Sequence, residues 1–196
     1  DEDLDWLILE ASSYQLELSN TFNPKIAVFT NFTPDHIDWH QGLENYFKAK
    51  AKIFYNTDYA ILSAVDKKVA SLAPKCKGKV FFFDGEIGEN CSFIKNGKII
   101  FRQNEYDEEI IRLDECTLIG QHNYQNIMCA IIASKLIGIK NENIKSSIMS
   151  FKAPEHRLEV CGKLGKTTFY NDSKATKNVT HIARSEERFS RNAETD

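Results

Sequence analysis

NFTPDHIDWHQGLENYFKAKAKIF, residues 31–54, follows a short apolar run (Ile26, Ala27, Val28, Phe29) and breaks at Pro34 before a helix opens near Leu43. His36, Asp38 and His40 fall where a strand hands over to a helix, the place at which open α/β sheets collect ligands. At about 100° per residue, Leu43, Tyr46, Phe47, Ile53 and Phe54 share one helical stripe. Lys50 lies in the middle of that stripe, whereas Lys48 and Lys52 lie on the polar side.

An ammonium carried into an apolar face suffers a desolvation cost that lowers its pKa or demands a partner. Three outcomes fit Lys50. Its stem can lie on the apolar surface while the charge reaches water. It can pair with Glu10, Asp35 or Asp38. Or a neutral amine can take up carbon dioxide and become a carbamate, an anionic oxygen ligand. Spacing alone leaves all three open.

Working outward, residues 6–9 (WLIL) predict a buried parallel strand ending in an acid, Glu10, with a helical turn in SSYQLELS behind it. As a turn or capping acid beside Ser12 and Ser13, Glu10 has a plainer alternative. Strands are predicted over 25–31, 59–64 and 79–83, with helices over 43–55 and 66–72 and Asp66 capping the second. Strands alternating with helices indicate βαβ units and a mostly parallel sheet flanked by helices. Asn96-Gly97 between two apolar runs signals a small β-hairpin region. The acidic run at 105–109 reads as a solvated face, and 110–113 as one more strand. A buried helix over 123–137 ends at Gly138, another covers 141–150, and two strands, 157–161 and 167–171, begin a new unit beyond Pro154. Gly165-Lys166-Thr167 looks like the end of a phosphate loop, but Val160 stands where that motif needs glycine.

The composition narrows the function. With 196 residues, 42% hydrophobic residues, a net charge of -3 and a pI near 6.0, the chain can build a core and is not made to coat nucleic acid. Its five cysteines are scattered and never paired as C-x-x-C, which suits reduced core thiols of a cytoplasmic protein. No apolar run reaches the ~18 residues of a membrane span, and no signal peptide opens the chain.

Four separated stretches together resemble the Mur ligases of peptidoglycan synthesis: EASSYQLE (10–17), residues 31–50, GQHNYQN (120–126), and His156-Arg157 followed by NDSKAT (171–176). The E-x-S-S-[FY]-Q-L-E form points to the branch that adds D-glutamate, with Ala11 a small departure where leucine is usual. The resemblance implies a P-loop-type α/β central domain and an ATP-dependent amide ligase. In such enzymes ATP phosphorylates the carboxylate of UDP-N-acetylmuramoyl-L-alanine. The amine of D-glutamate then attacks the acyl phosphate, and phosphate leaves.

Carried over residue by residue, it implies that Glu10 holds one magnesium ion and that His36 and a carbamylated Lys50 position a second. Oxygen ligands of this kind are what magnesium prefers, so the resemblance favours the carbamate for Lys50. It also implies that Asn123, Asn126, Arg157 and Asp172 contact ATP, and that Lys174 and Thr176 contact D-glutamate. Asp38 and His40 are left outside the metal site, Asp38 as a capping or orienting residue and His40 as a surface residue.

The expected organisation is a central ATPase domain over 1–152 lacking its phosphate loop, the start of a truncated Rossmann-like, amino-acid-binding domain over 153–176, and a disordered polar tail over 177–196, where Lys177 splits the family's K-A-T-N. Such a piece is expected to be inactive alone and to expose an unpaired apolar sheet edge; the full-length form is expected to be a monomer. Two rival readings are a metal-dependent hydrolase built on DHIDWH, and a nucleotide-fold remnant without catalysis.

Overall fold

The computed structural model describes residues 4–34, 37–152, 154, 159–165, 167–171 and 173. The chain divides into two compact units, Asp1–Ser150 and Phe151–Asp196.

The first unit is built on a six-stranded sheet in the sequential order β1 (Ile26–Phe29), β2 (Tyr59–Ser63), β3 (Lys79–Phe83), β4 (Asn90–Lys95), β5 (Lys98–Gln103), β6 (Tyr106–Arg112). Strands β1 to β4 pair in parallel, and β4, β5 and β6 form an antiparallel meander. The predicted hairpin is therefore a continuation of the main sheet, joined through the short pairing of Phe82 with Cys91 and Phe83 with Ser92. Its turn has Asn96 and Gly97 both at positive φ, 51° and 71°, the twist that a two-residue hairpin needs.

The sheet is buried on both faces, as the alternation in β2 shows. Ile61 joins a cluster with Phe81, Phe83, Ile99, Met128 and Ile131, beneath α5 (Gln121–Leu136) and α6 (Asn141–Ser150). Its neighbours Ala60 and Leu62 join the opposite cluster with Phe29, Phe47, Phe54, Val69 and Leu72, beneath α3 (Leu43–Ala51) and α4 (Lys67–Ala70). Tyr46, Phe47 and Phe54 of the expected stripe are buried and Ile53 is half-buried, but Leu43 at the helix start is exposed, and the helix tightens into a 3₁₀ turn at Lys52–Phe54.

Two expectations are corrected. Residues 6–9 are not a strand: Leu7, Ile8 and Leu9 are exposed, Ile8 at 95%. A strand needs a hydrogen-bonding neighbour as well as apolar side chains, and among the described residues none pairs with this segment. The strand expected over 110–113 begins earlier, as β6 (Tyr106–Arg112), so the acidic run lies on a strand while remaining the mostly exposed face it was read as. Asp107 is bound by Arg102, Glu109 by Lys98, and Glu108 by Lys135 and Asn141. Cross-strand and helix-borne cations let a charge-rich sequence sit in a sheet.

In the second unit β7 (Glu159–Leu164) and β8 (Thr167–Asn171) form an antiparallel hairpin, so the first strand runs further than its predicted end at 161. Gly165 turns it at φ 59°. The predicted tail at 177–196 lies outside the described residues.

Candidate functional site

The carboxyl edge of the parallel strands brings together the 31–34 segment and the GQHNYQN helix. Beyond β1 the chain enters the 31–34 segment; beyond β2 comes Asp66, and beyond β3 comes Asp84. Asp66 ties the first two together. Its Oδ1 accepts from the amides of Lys68 and Val69 at 3.0 and 3.1 Å, capping α4, while Oδ2 accepts from the Phe32 amide at 2.7 Å. The cap is legible in sequence; the bond to Phe32, 34 residues away, is not.

Asp84 does the same for the third strand. It adopts φ 60°, a left-handed conformation that Asp tolerates better than most residues. Its two carboxylate oxygens accept from Gln121 Nε2 at 2.8 Å and Gln125 Nε2 at 2.7 Å. One turn apart on α5, those two glutamines face the same way. Thus the N-terminal turn of the GQHNYQN helix is fastened to the sheet edge. Asn123 donates from Nδ2 to the carbonyl of Ile119 at 2.8 Å, and Asn126 is exposed. Asp84-Gly85 was available as a turn signal, but nothing local pairs it with a helix 37 residues on.

Lys50 is not a solvated surface lysine. It is half-buried on α3, with Nζ 5.2 Å from the ring centre of Phe29 at the end of β1 and 5.8 Å from that of Tyr46. The rings give its head group a cation-attracting surface. Glu10 lies in an irregular, exposed segment that leads into α1 (Ser13–Leu18), where Ser12 and Gln15 form a reciprocal capping box. Helix α1 packs on α3. His36, Arg157, Asp172, Lys174 and Thr176 lie outside the described residues. Two surface clefts border α3, of about 240 and 350 Å³, and neither is lined by Glu10 or Lys50.

The reading of His40 as a surface residue is overturned: it is 3% exposed. Placed at the end of the short helix α2 (Ile37–His40), its ring is covered by Tyr14 and Tyr46, and its Nε2 stands 2.9 Å from Ser13 Oγ. Helix-start position alone suggested exposure; the packing of α1 on α3 decided otherwise. Asp38 is exposed. Among the described residues no group of three His, Cys, Asp or Glu side chains is arranged to hold a metal ion.

The free cysteines divide by burial. Cys91, Cys116 and Cys129 are buried, Cys76 half-buried and Cys161 exposed. Burial raises the thiol pKa of Cys76, Cys91, Cys116 and Cys129, so these four are packing groups of low reactivity. No described helix is long and apolar enough to cross a membrane.

Residues 1–134 match the family model of the Mur ligase middle domain. The chain is 41% identical over 177 residues to the UDP-N-acetylmuramoylalanine–D-glutamate ligase of Acidobacterium capsulatum, covering 87% of this chain and 38% of the relative. It is 37% identical over 190 residues to the ligase of the same name from Koribacter versatilis, covering 95% and 42%. The chain thus spans about two fifths of the length of these relatives. Among solved structures, MurF from Acinetobacter baumannii superposes with a TM-score of 0.66 at 18% identity, over 89% of this chain and 38% of that one. MurC from Thermotoga maritima does so with a TM-score of 0.55 at 18% identity, over 81% and 35%. At that identity the structural likeness bears on the fold alone.

Proposed function

Because this chain belongs to the Mur ligase middle-domain family, we propose that it is the central part of a cytoplasmic, ATP-dependent ligase that joins D-glutamate to UDP-N-acetylmuramoyl-L-alanine in peptidoglycan synthesis. The observation that carries the reading is the identity to D-glutamate ligases over 177 residues, together with the E-x-S-S-[FY]-Q-L-E, GQHNYQN and NDSKAT stretches. In this reading residues 1–152 are ATPase domain and 153–176 begin the amino-acid-binding domain, an assignment supported by the division of the chain after Ser150.

The residues we assign are Glu10, His36 and Lys50 to two magnesium ions, with Lys50 as its carbamate; Asn123, Asn126, Arg157 and Asp172 to ATP; and Lys174 and Thr176 to D-glutamate. The setting of Lys50 suits its part. The side chain is half-buried, with its head group 5.2 Å from the ring of Phe29, the last residue of β1, a setting that supports this reading. A carbamate there would supply hard anionic oxygens, and bound divalent cations would offset the charge of a transferring phosphoryl group. Asp84, Gln121 and Gln125 hold the helix that presents Asn123 and Asn126. The hydrolase reading loses its main support, since His40 is committed to Ser13 in the packed interior.

A chimera tests the proposal. Residues 1–176 replace the matching segment of the Acidobacterium capsulatum ligase, and ATP-dependent amide formation is followed with D-glutamate, L-glutamate and D-alanine. Ligation of D-glutamate, lost in the Lys50→Met and Glu10→Gln versions, is the expected result. A folded chimera that prefers another amino acid, or that retains full activity without Lys50, refutes it.

A further inference from the structure

One imidazole joins three helices: it ends α2 and meets α1 and α3, the second of which carries Lys50. His40 has a fully shielded side chain. Its Nε2 stands 2.9 Å from Ser13 Oγ, and Ser13 is itself only 4% exposed. Ser13 opens α1 three residues after Glu10. His40 closes α2 four residues after His36. Its ring lies 5.3 Å from that of Tyr46, which sits on α3 one turn before Lys50 and 5.8 Å from the Lys50 Nζ. Tyr14 of α1 covers the imidazole from another side, with centroids 5.5 Å apart.

The connectivity of Ser13, His40 and Glu17 is that of a nucleophile, a base and an acid, but the geometry denies that chemistry. Glu17 Oε2 lies 3.3 Å from Nδ1 yet out of line, so that Nδ1 makes no hydrogen bond, and the same oxygen accepts from the Trp39 indole. The Ser13 hydroxyl is shielded from any substrate, whereas a nucleophile must be reachable. What remains is a brace: a hydrogen bond to one helix, covalent continuity with a second, and ring contact with a third.

We propose that His40 is a positioning residue which, through Ser13 and Tyr46, fixes α1, the helix that follows Glu10, against α3, and holds the Lys50 head group beside Phe29. The role of Glu10 and Lys50 rests on the function proposed above; the brace itself rests on the distances from His40 to Ser13, Tyr14 and Tyr46. Misplacement of a reacting group by about 1 Å can cost a hundredfold in rate, so a brace at this point has something to protect.

The test is competitive acetylation of lysines in the 196-residue chain, read by mass spectrometry as labelling of Lys50 relative to the exposed Lys48. Lys135, held by Glu108 on the opposite face of the sheet, reports global loosening. The variants are His40→Phe (ring kept, nitrogens lost), His40→Gln (reach to Ser13 kept) and Ser13→Ala. In the parent chain Lys50 should label severalfold more slowly than Lys48. His40→Phe and Ser13→Ala should bring Lys50 up toward Lys48 with Lys135 unchanged, and His40→Gln should restore most of the difference. An unchanged Lys50 ratio in Ser13→Ala, or a rise shared equally by Lys135, overturns the proposal; Ser13→Ala decides it if His40→Phe does not fold.

A parallel ¹³C spectrum in labelled bicarbonate, with Lys50→Met as control, separates the two claims. Absence of a carbamate signal in the parent sinks the role given to Lys50 and leaves the labelling ratios to decide the brace.

Discussion

Replacing Asp66 should separate two bonds that one carboxylate makes. Oδ1 caps α4 through Lys68 and Val69, and Oδ2 holds the Phe32 amide at 2.7 Å in a partly buried setting. Loss of such a cap costs about 1 kcal/mol, and an amide left without its partner costs about 1–3 kcal/mol more. Asp66→Ala should therefore destabilise by about 2–4 kcal/mol, which for a unit of this size lowers Tm by about 4–16 °C. Asp66→Asn keeps one acceptor oxygen for the cap but turns an NH₂ toward the Phe32 N–H, so it should fall between the parent and Asp66→Ala. Thermal unfolding followed by circular dichroism gives the order. Amide exchange gives the location: in Asp66→Asn the Phe32 amide should exchange faster while Val69 stays protected. Equal stability of Asp66→Asn and the parent would show that the bond to the 31–34 segment contributes nothing.

Other consequences can be checked by similar means. Gly78→Ala should destabilise by about 1–3 kcal/mol in chemical denaturation, because a Cβ there would come within 2.3 Å of the main-chain oxygens of Thr57 and Asp58. Glu105→Gly should stabilise by about 0.5–1 kcal/mol, since Asn104 and Glu105 turn the β5–β6 hairpin at φ 53° and 66°; a lower denaturation midpoint would contradict this. The Lys135 ammonium, with help from Asn141, holds the Glu108 carboxyl below its ordinary range. Its contribution is accordingly full above the unfolded carboxylate value of about 4.3 and lost as pH falls through the lower folded value. Lys135→Met should flatten that acid limb of a stability–pH curve. Lysine at Leu7 and Ile8, both exposed, should reduce light scattering on heating, as breaking an exposed apolar patch predicts; unchanged scattering would show that the segment does not drive association.

The amphipathic period of 43–54, the cap at Asp66, the Asn96-Gly97 turn and the βαβ spacing carry their structure locally, and each could be read from neighbouring residues. The E-x-S-S-[FY]-Q-L-E, GQHNYQN and NDSKAT stretches likewise carried the family. Where local pattern and burial diverged, the reading failed: residues 6–9 have the composition of a buried strand and are exposed, while His40 has the position of a surface residue and is buried.

The sequence by itself determined most of the secondary elements, though not the state of residues 6–9 or the start of β6, together with the parallel start of the sheet and the family, because helical and strand periods and turn chemistry act over a few residues. The tertiary structure alone decided that the hairpin extends the main sheet, that Asp84 fastens Gln121 and Gln125, and that His40 lies against Ser13 and Tyr46. Each of those joins residues far apart in the chain, and no local preference encodes a hydrogen bond or a ring contact whose partner is brought in only when the sheet and its helices pack.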